Sequence, residues 1–351
     1  MRSRRSILQG GAALVLAGLP FGSSIGQDAL RSAKAGSEGV ATRSSSSGDG
    51  VTISLFAGDL RDFEAVAAWE RHFGPVRSVT INAESSTDWN RTTASVTSWI
   101  VPKFMSRSDL VPIVGLPLLP YGTPVRNGAR WDLRLGAEHW GDEPGWLYKL
   151  FQPILSSLLQ LPHDHIDVRL GWEQNVPSQA WNAKAAETEY AAYWRNLVAY
   201  ARSLDGGERF RWHWCPAITA WPCCDTFKTY PGDDVVDVIG FDLYDREVAD
   251  PAQDTPEARW DLSFNGAKSG NNFGLGQLAA FAREHGKRMI GHEVGAGEKG
   301  DNPYFARELV TFAANAEVDL YWWNHDTGGY NARLTEGQLP KTARVLRTAT
   351  S

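Results

Sequence analysis

The sequence predicts an α/β protein built as a single (β/α)8 TIM barrel. Eight short apolar runs recur from Val51 onward. Several are apolar at consecutive positions, as in strands buried on both faces of a parallel sheet. Amphipathic helical patterns separate the runs, and that alternation repeated eight times favours closure over an open sheet. The chain has 351 residues. Roughly 300 follow its N-terminal segment, which suits one large barrel better than two ordinary domains.

The expected strands are Val51–Ala57, Arg77–Asn82, Val111–Leu116, Ile166–Trp172, Phe210–Cys215, Val235–Phe241, Arg288–His292 and Val318–Trp323. Between them, Tyr190, Trp194, Leu197, Val198 and Ala201 fall at helical spacing, and Gly206-Gly207 ends that segment. Leu278, Phe281 and Ala282 form a second stripe closed by Gly286, and Phe305, Leu309 and Phe312 a third. Thr87–Ser108 has no clear period. Tyr121–Gly145 is long, polar and aromatic, which suggests a loop on the active face.

Three segments divide the chain. Residues 1–26 open with Met1-Arg2-Ser3-Arg4-Arg5 and continue into a short apolar core, so they are expected to be an export signal, and Arg4-Arg5 makes it resemble the twin-arginine type. Residues 27–50 include Ser44-Ser45-Ser46-Ser47-Gly48 and are expected to be a flexible linker. Residues 51–351 are the barrel. The expected location is therefore periplasmic or secreted. No later run is long and apolar enough to span a bilayer. The formal net charge is −6, and residues 1–26 hold three Arg and no acid. The remainder is more acidic still, which argues against nucleic acid or anionic lipid as the main partner. The three cysteines are Cys215, Cys223 and Cys224. Cys215 could pair with either of the other two, whereas the adjacent pair could bond only under strain. No second ligand pair accompanies them, so a zinc site is not expected.

In a barrel of this kind, reactive groups sit at the C-terminal ends of the strands. Those tips read Trp172-Glu173-Gln174-Asn175, His213-Trp214, Gly240-Phe241-Asp242-Leu243-Tyr244-Asp245, His292-Glu293 and Tyr321-Trp322-Trp323-Asn324-His325-Asp326. Two glutamates facing one cleft have the layout for cleaving a glycosidic bond. One carboxyl protonates the leaving oxygen and one carboxylate meets the anomeric carbon. Two carboxylates suffice for this, so no metal or organic cofactor is expected. Flat aromatic rings would serve as sugar platforms, and Trp172, Trp181, Trp214 and Trp322 lie where loops should reach substrate.

Three stretches carry a family resemblance. They are Arg169-Leu170-Gly171-Trp172-Glu173-Gln174-Asn175, Tyr230-Pro231-Gly232-Asp233-Asp234-Val235-Val236-Asp237-Val238-Ile239-Gly240-Phe241-Asp242-Leu243-Tyr244, and His285-Gly286-Lys287-Arg288-Met289-Ile290-Gly291-His292-Glu293-Val294-Gly295. Over about residues 51–326 the chain resembles glycoside hydrolase family 26 of clan A. The best known members of that family are endo-β-mannanases, and others act on mixed-linkage β-glucan or β-1,3-xylan. The resemblance implies that Glu173 is the general acid/base and Glu293 the nucleophile of a retaining reaction. It implies that Tyr244 bonds Glu293, that Asp242 shapes the site, that Trp322 lies under the scissile sugar and that Trp181 is a further stacking residue. Asn175, Trp172, Trp214 and His292 complete the expected substrate contacts. Arg169 would bias a neighbouring carboxylate towards its charged form. Mannanases of this family commonly carry His where Trp172 stands, so weak action on linear mannan is expected. The expected partner is a polysaccharide or oligosaccharide and the expected state a monomer. A non-hydrolytic carbohydrate-binding barrel and a transglycosylase are the alternative readings.

Overall fold

The computed structural model describes residues 51–57, 63–121, 125–126, 129–130, 132–138, 146–219, 221–245, 251–267, 272–297, 300–326 and 332–350. The expected export signal at 1–26 and linker at 27–50 lie outside them.

Eight strands form where the apolar runs lie: β1 (Ile53–Phe56), β2 (Ser78–Asn82), β3 (Val111–Leu116), β4 (Ile166–Leu170), β5 (Phe210–Trp214), β6 (Val238–Tyr244), β7 (Arg288–Gly295) and β8 (Asp319–Trp323). They pair in parallel and close in the order β1-β8-β7-β6-β5-β4-β3-β2. The outer layer holds α1 (Glu64–Phe73), α2 (Trp89–Ala94), α3 (Val101–Ser106), α4 (Leu133–Glu138), α5 (Trp146–Leu158), α6 (Glu187–Arg202), α7 (Pro256–Asn265), α8 (Leu275–Glu284), α9 (Pro303–Ala316) and α10 (Pro340–Thr350).

Side chains alternate across each strand, so parity sorts them into two cores. Leu55, Val79, Ile81, Val114, Leu116, Val168, Leu170, Phe241, Leu320 and Trp322 belong to the apolar layer between strands and helices. Ile113, Val238, Ile290 and Tyr321 form a smaller cluster of alternate parity, inside the barrel. Both faces of each strand are buried, which is why the runs show little polar alternation. Helix ends are set by local chemistry. The Asn302 side chain accepts from the backbone N–H groups of Tyr304 and Phe305, and Pro303 opens α9. Thr255 caps α7 in the same way, ahead of Pro256.

Some expected boundaries move. β4 stops at Leu170 because Gly171 turns into the left-handed region, at φ 53°. The expected strand at Val235–Phe241 begins only at Val238. Val235 and Val236 instead hydrogen-bond back to the Gly232 carbonyl in a turn. Thr87–Ser108 is helical, made of α2, a π-turn over Ser95–Ile100 and α3. Within Tyr121–Gly145 the described residues include α4, so the stretch is not loop throughout. Asn196 on α6 donates to the Gly136 and Ala137 carbonyls and docks α4. Much of the rest of that stretch lies outside the described residues.

Candidate active site

Polar side chains share the barrel interior with that small apolar cluster. Asp167 on β4 accepts from Arg211 at 2.6 Å and meets His213 Nε2 at 2.8 Å. His213 Nδ1 lies 3.1 Å from His292 Nε2, and Thr80 is 3.4 Å from the other His292 nitrogen. Burial pushes Asp167 up, but its bonds to His213 and Arg211 outweigh that and hold it well below the usual carboxylate range. Burial, then the neighbouring His213, Arg169 and Arg288, drive His292 far below its ordinary value, so it is neutral. His292 was an expected sugar contact. It is fully buried and serves as a link in this chain.

Glu293 lies above that layer. It receives Arg169 Nη1 at 2.5 Å and Asn82 Nδ2 at 3.3 Å on Oε1, and the Tyr244 hydroxyl at 2.9 Å on Oε2. The second amine of Arg169 ion-pairs with Asp242. A bulge makes this possible. Phe241 pairs with Gly291 but Asp242 pairs with Glu293, so one residue is skipped. His292 and Glu293 are consecutive, yet both bond to groups inside the barrel, which strict alternation forbids. Gly115 on β3 is also required, because a Cβ there would come within 1.9 Å of Asn82 Oδ1. Burial, then the charges of Glu293, Asp242 and Glu173, keep Tyr244 protonated well above the phenol range. It is therefore a steady donor to Glu293. Burial likewise pushes Asp242 well up. Arg169 opposes this, while Glu293 and Glu173 add to it.

Glu173 follows β4 on a turn whose carbonyls are all engaged. Trp194 Nε1 donates to the Leu170 carbonyl at 3.1 Å, Tyr190 to Gly171 at 2.8 Å and Trp181 Nε1 to Trp172 at 2.6 Å. Glu173 itself has φ 52°, a left-handed conformation that costs a non-glycine residue about 1 kcal/mol or more. Its N–H donates to the Cys215 carbonyl at 2.8 Å. Its Oε2 accepts from Gln179 Nε2 at 2.6 Å, and Gln179 Oε1 accepts from Tyr121 at 2.8 Å. Asn175 is fully buried and uses both ends of its amide on Ala217, so it clamps the turn to the loop after β5 instead of reaching outward. Trp172, the neighbour of Glu173, packs on Arg169, which holds Glu293, and Tyr121, Tyr244 and Asp242 each feel the charges of both carboxylates.

The expected aromatic platforms divide differently. Trp214 and Trp322 lie in the outer layer, and Trp214 packs against Tyr230 and Phe281. Trp181 is fully buried, edge-on to Trp172. Trp172 is 5% exposed and lies over the Arg169 guanidinium at 5.2 Å. It forms a wall of the site. Trp323 takes the inward position instead. It is half-buried, stacks on Phe56 at 4.5 Å and lies 6.1 Å from the Tyr244 ring. Trp221, 72% exposed, stands on the loop after β5. Tyr121, Gln179 and Trp323 had no assigned role from sequence, nor had Asn82. Asn82 ends an expected strand and Trp323 adjoins Trp322, so strand-tip position was a usable signal for both. Gln179 sits in an irregular turn with no such signal. Cys215, Cys223 and Cys224 are all free thiols, so Cys215 pairs with neither of the other two. Among the described residues no cluster of metal-ligating side chains occurs. A cavity of about 360 Å³ lined by Val111, Pro162, His163, Asp164, His165 and Arg211 contains neither carboxylate.

Residues 156–255 match the family model of Glycosyl hydrolase family 26. This is the family that the three sequence motifs resemble. A mannan endo-1,4-beta-mannosidase of Bifidobacterium adolescentis is 28% identical over 162 residues. That alignment covers 43% of this chain and only 16% of the relative. The fold is shared with solved family 26 structures. A Bacillus subtilis mannanase superposes with a TM-score of 0.56 at 15% identity, with 85% of each chain covered. A beta-mannanase from Bacteroides ovatus gives 0.54 at 16% identity, covering 92% of this chain and 91% of its own. The matched family segment includes β4, β5 and β6, and with them Glu173, Asp242 and Tyr244.

Proposed function

We propose that this protein is an exported glycosidase of the endo-β-glycanase kind, cleaving a β-linked polysaccharide or oligosaccharide with retention of configuration. One observation carries the reading. Glu293 is fixed by Arg169, Tyr244 and Asn82, and Arg169 packs against Trp172, the neighbour of Glu173 on its strained turn.

Donors from three strands aim the Glu293 carboxyl group. In the first step Glu293 attacks the anomeric carbon while Glu173 gives its proton to the departing oxygen. In the second, Glu173 takes a proton from water, which attacks the same carbon and releases Glu293. Arg169 balances the charge that Glu293 loses and regains. Trp172 and Trp323 supply apolar walls for a sugar ring. The relative's mannan activity suggests one candidate polymer. The Trp172 ring, in place of a small polar contact, supports testing β-glucan and xylan beside it. The basic, apolar N-terminus supports export.

The two glutamates are separable by product stereochemistry. Glu293→Ala with azide should give a glycosyl azide of inverted configuration, because no covalent intermediate forms. Glu173→Ala, on a substrate with a good leaving group, should give an azide of retained configuration. Swapped products, read by NMR, would reverse the roles. Wild-type rates in either variant would end the proposal.

A further inference from the structure

We infer that Gln179, locked by Tyr121, is a positioning residue that decides which oxygen of Glu173 carries the catalytic proton. The inference rests on Glu173 being the acid/base proposed above.

Gln179 is 8% exposed, and both ends of its amide are engaged. Tyr121 O–H donates to Oε1 at 2.8 Å, so the NH2 end must face Glu173, where it lies 2.6 Å from Oε2. The Tyr121 phenol is pushed up by burial, then by the charges of Glu173 and Glu293, so it keeps its proton. An Oε2 that already accepts an N–H cannot also hold a proton pointing at it. A protonated oxygen is the poorer acceptor, so the bond to Oε2 favours the acidic proton on Oε1. The same bond favours the carboxylate over the acid. It thus makes Glu173 a stronger acid for the departing oxygen in the first half of the reaction and a weaker base towards water in the second, and it lowers the pH above which the acid form is lost. The Tyr121 and Gln179 pair comes from two different loops, after β3 and after β4, and neither residue lies at a strand tip.

The test uses the intact protein with 13C-labelled glutamate. The Glu173 carboxyl signal is assigned by its loss in Glu173→Gln and titrated in the wild type, Gln179→Met and Tyr121→Phe. Loss of one hydrogen bond to a charged group should raise the Glu173 midpoint by about one pH unit in Gln179→Met. Tyr121→Phe frees the amide to turn and should give a smaller shift in the same direction. The alkaline limb of kcat/KM, which reports the general acid, should move up by the same amount. An unmoved or lowered midpoint overturns the inference. So does a kcat/KM lowered uniformly at every pH, which is what a merely structural role gives. If Gln179→Met fails to fold, Tyr121→Phe decides by the same readouts. A wild type that cleaves no glycoside would refute the proposed function, and the carboxyl titration would still decide the point about Gln179.

Discussion

Trp322 and Trp323 are adjacent, and the fold gives them opposite fates. Replacing each by alanine tests that division. Trp322 is fully buried in the outer apolar layer. Removing such a ring should cost about 3–5 kcal/mol, the range for a large aromatic deleted from a core. In a domain of this size that lowers Tm by on the order of 5–10 °C. Catalysis by the molecules still folded at 25 °C should change little, since the ring faces away from Glu293. Trp323 is half-buried, on the inward parity, with Phe56 on one side and Tyr244 nearby. Its loss removes one aromatic pair, about 1 kcal/mol, and a Tm shift on the order of 2 °C. As a sugar platform of roughly 80 Å² it would contribute about 2 kcal/mol of binding. That corresponds to a fall in kcat/KM of about 30-fold. The assays are calorimetry and initial rates on the best polymer found. A Trp322→Ala protein with unchanged Tm and collapsed kcat/KM, or a Trp323→Ala protein with the reverse, would refute the parity argument.

Two further outcomes follow from the buried charges. Arg169→Met leaves Asp242 and Glu293 without their shared cation and should destabilise the fold by about 3–5 kcal/mol, measured by urea unfolding. Adding Glu293→Gln to that variant should recover part of the loss, because one uncompensated charge is gone. His292→Gln should change the acid side of the stability profile. In the folded protein burial holds His292 below its ordinary value of 6.5, so the unfolded chain alone takes up a proton there. The corresponding stability is complete above pH 6.5 and is lost as pH falls, by up to about 1.4 kcal/mol per pH unit. The wild type's stability should therefore fall towards that of His292→Gln between pH 6.5 and 5. Parallel profiles for the two proteins would contradict the assignment of a neutral His292.

The sequence by itself determined where the strands lie. Their apolar runs are long enough to be buried on two faces, and the helical stripes between them leave only a closed parallel sheet to bury both. Strand-tip position then brought Glu173, Asp242, Tyr244 and Glu293 to attention, because a barrel concentrates its chemistry at one end. The same double burial hid the facing of individual side chains. With apolar residues on both sides of a strand, no alternation says whether Trp322 or Trp323 points inward, or that Trp214 faces α8. Parity was decided by register against β1 and β7. The bulge at His292 could not be read either. It places two consecutive side chains on one face, and only the pairing of β6 with β7 reveals it. Gln179 and Tyr121 meet because two loops of irregular backbone converge over Glu173. Asn175, Trp181 and His292, chosen for their chemistry, have their hydrogen-bonding groups turned to protein atoms. A buried polar group must find a partner within the protein, and which partner it finds is a property of the assembled barrel.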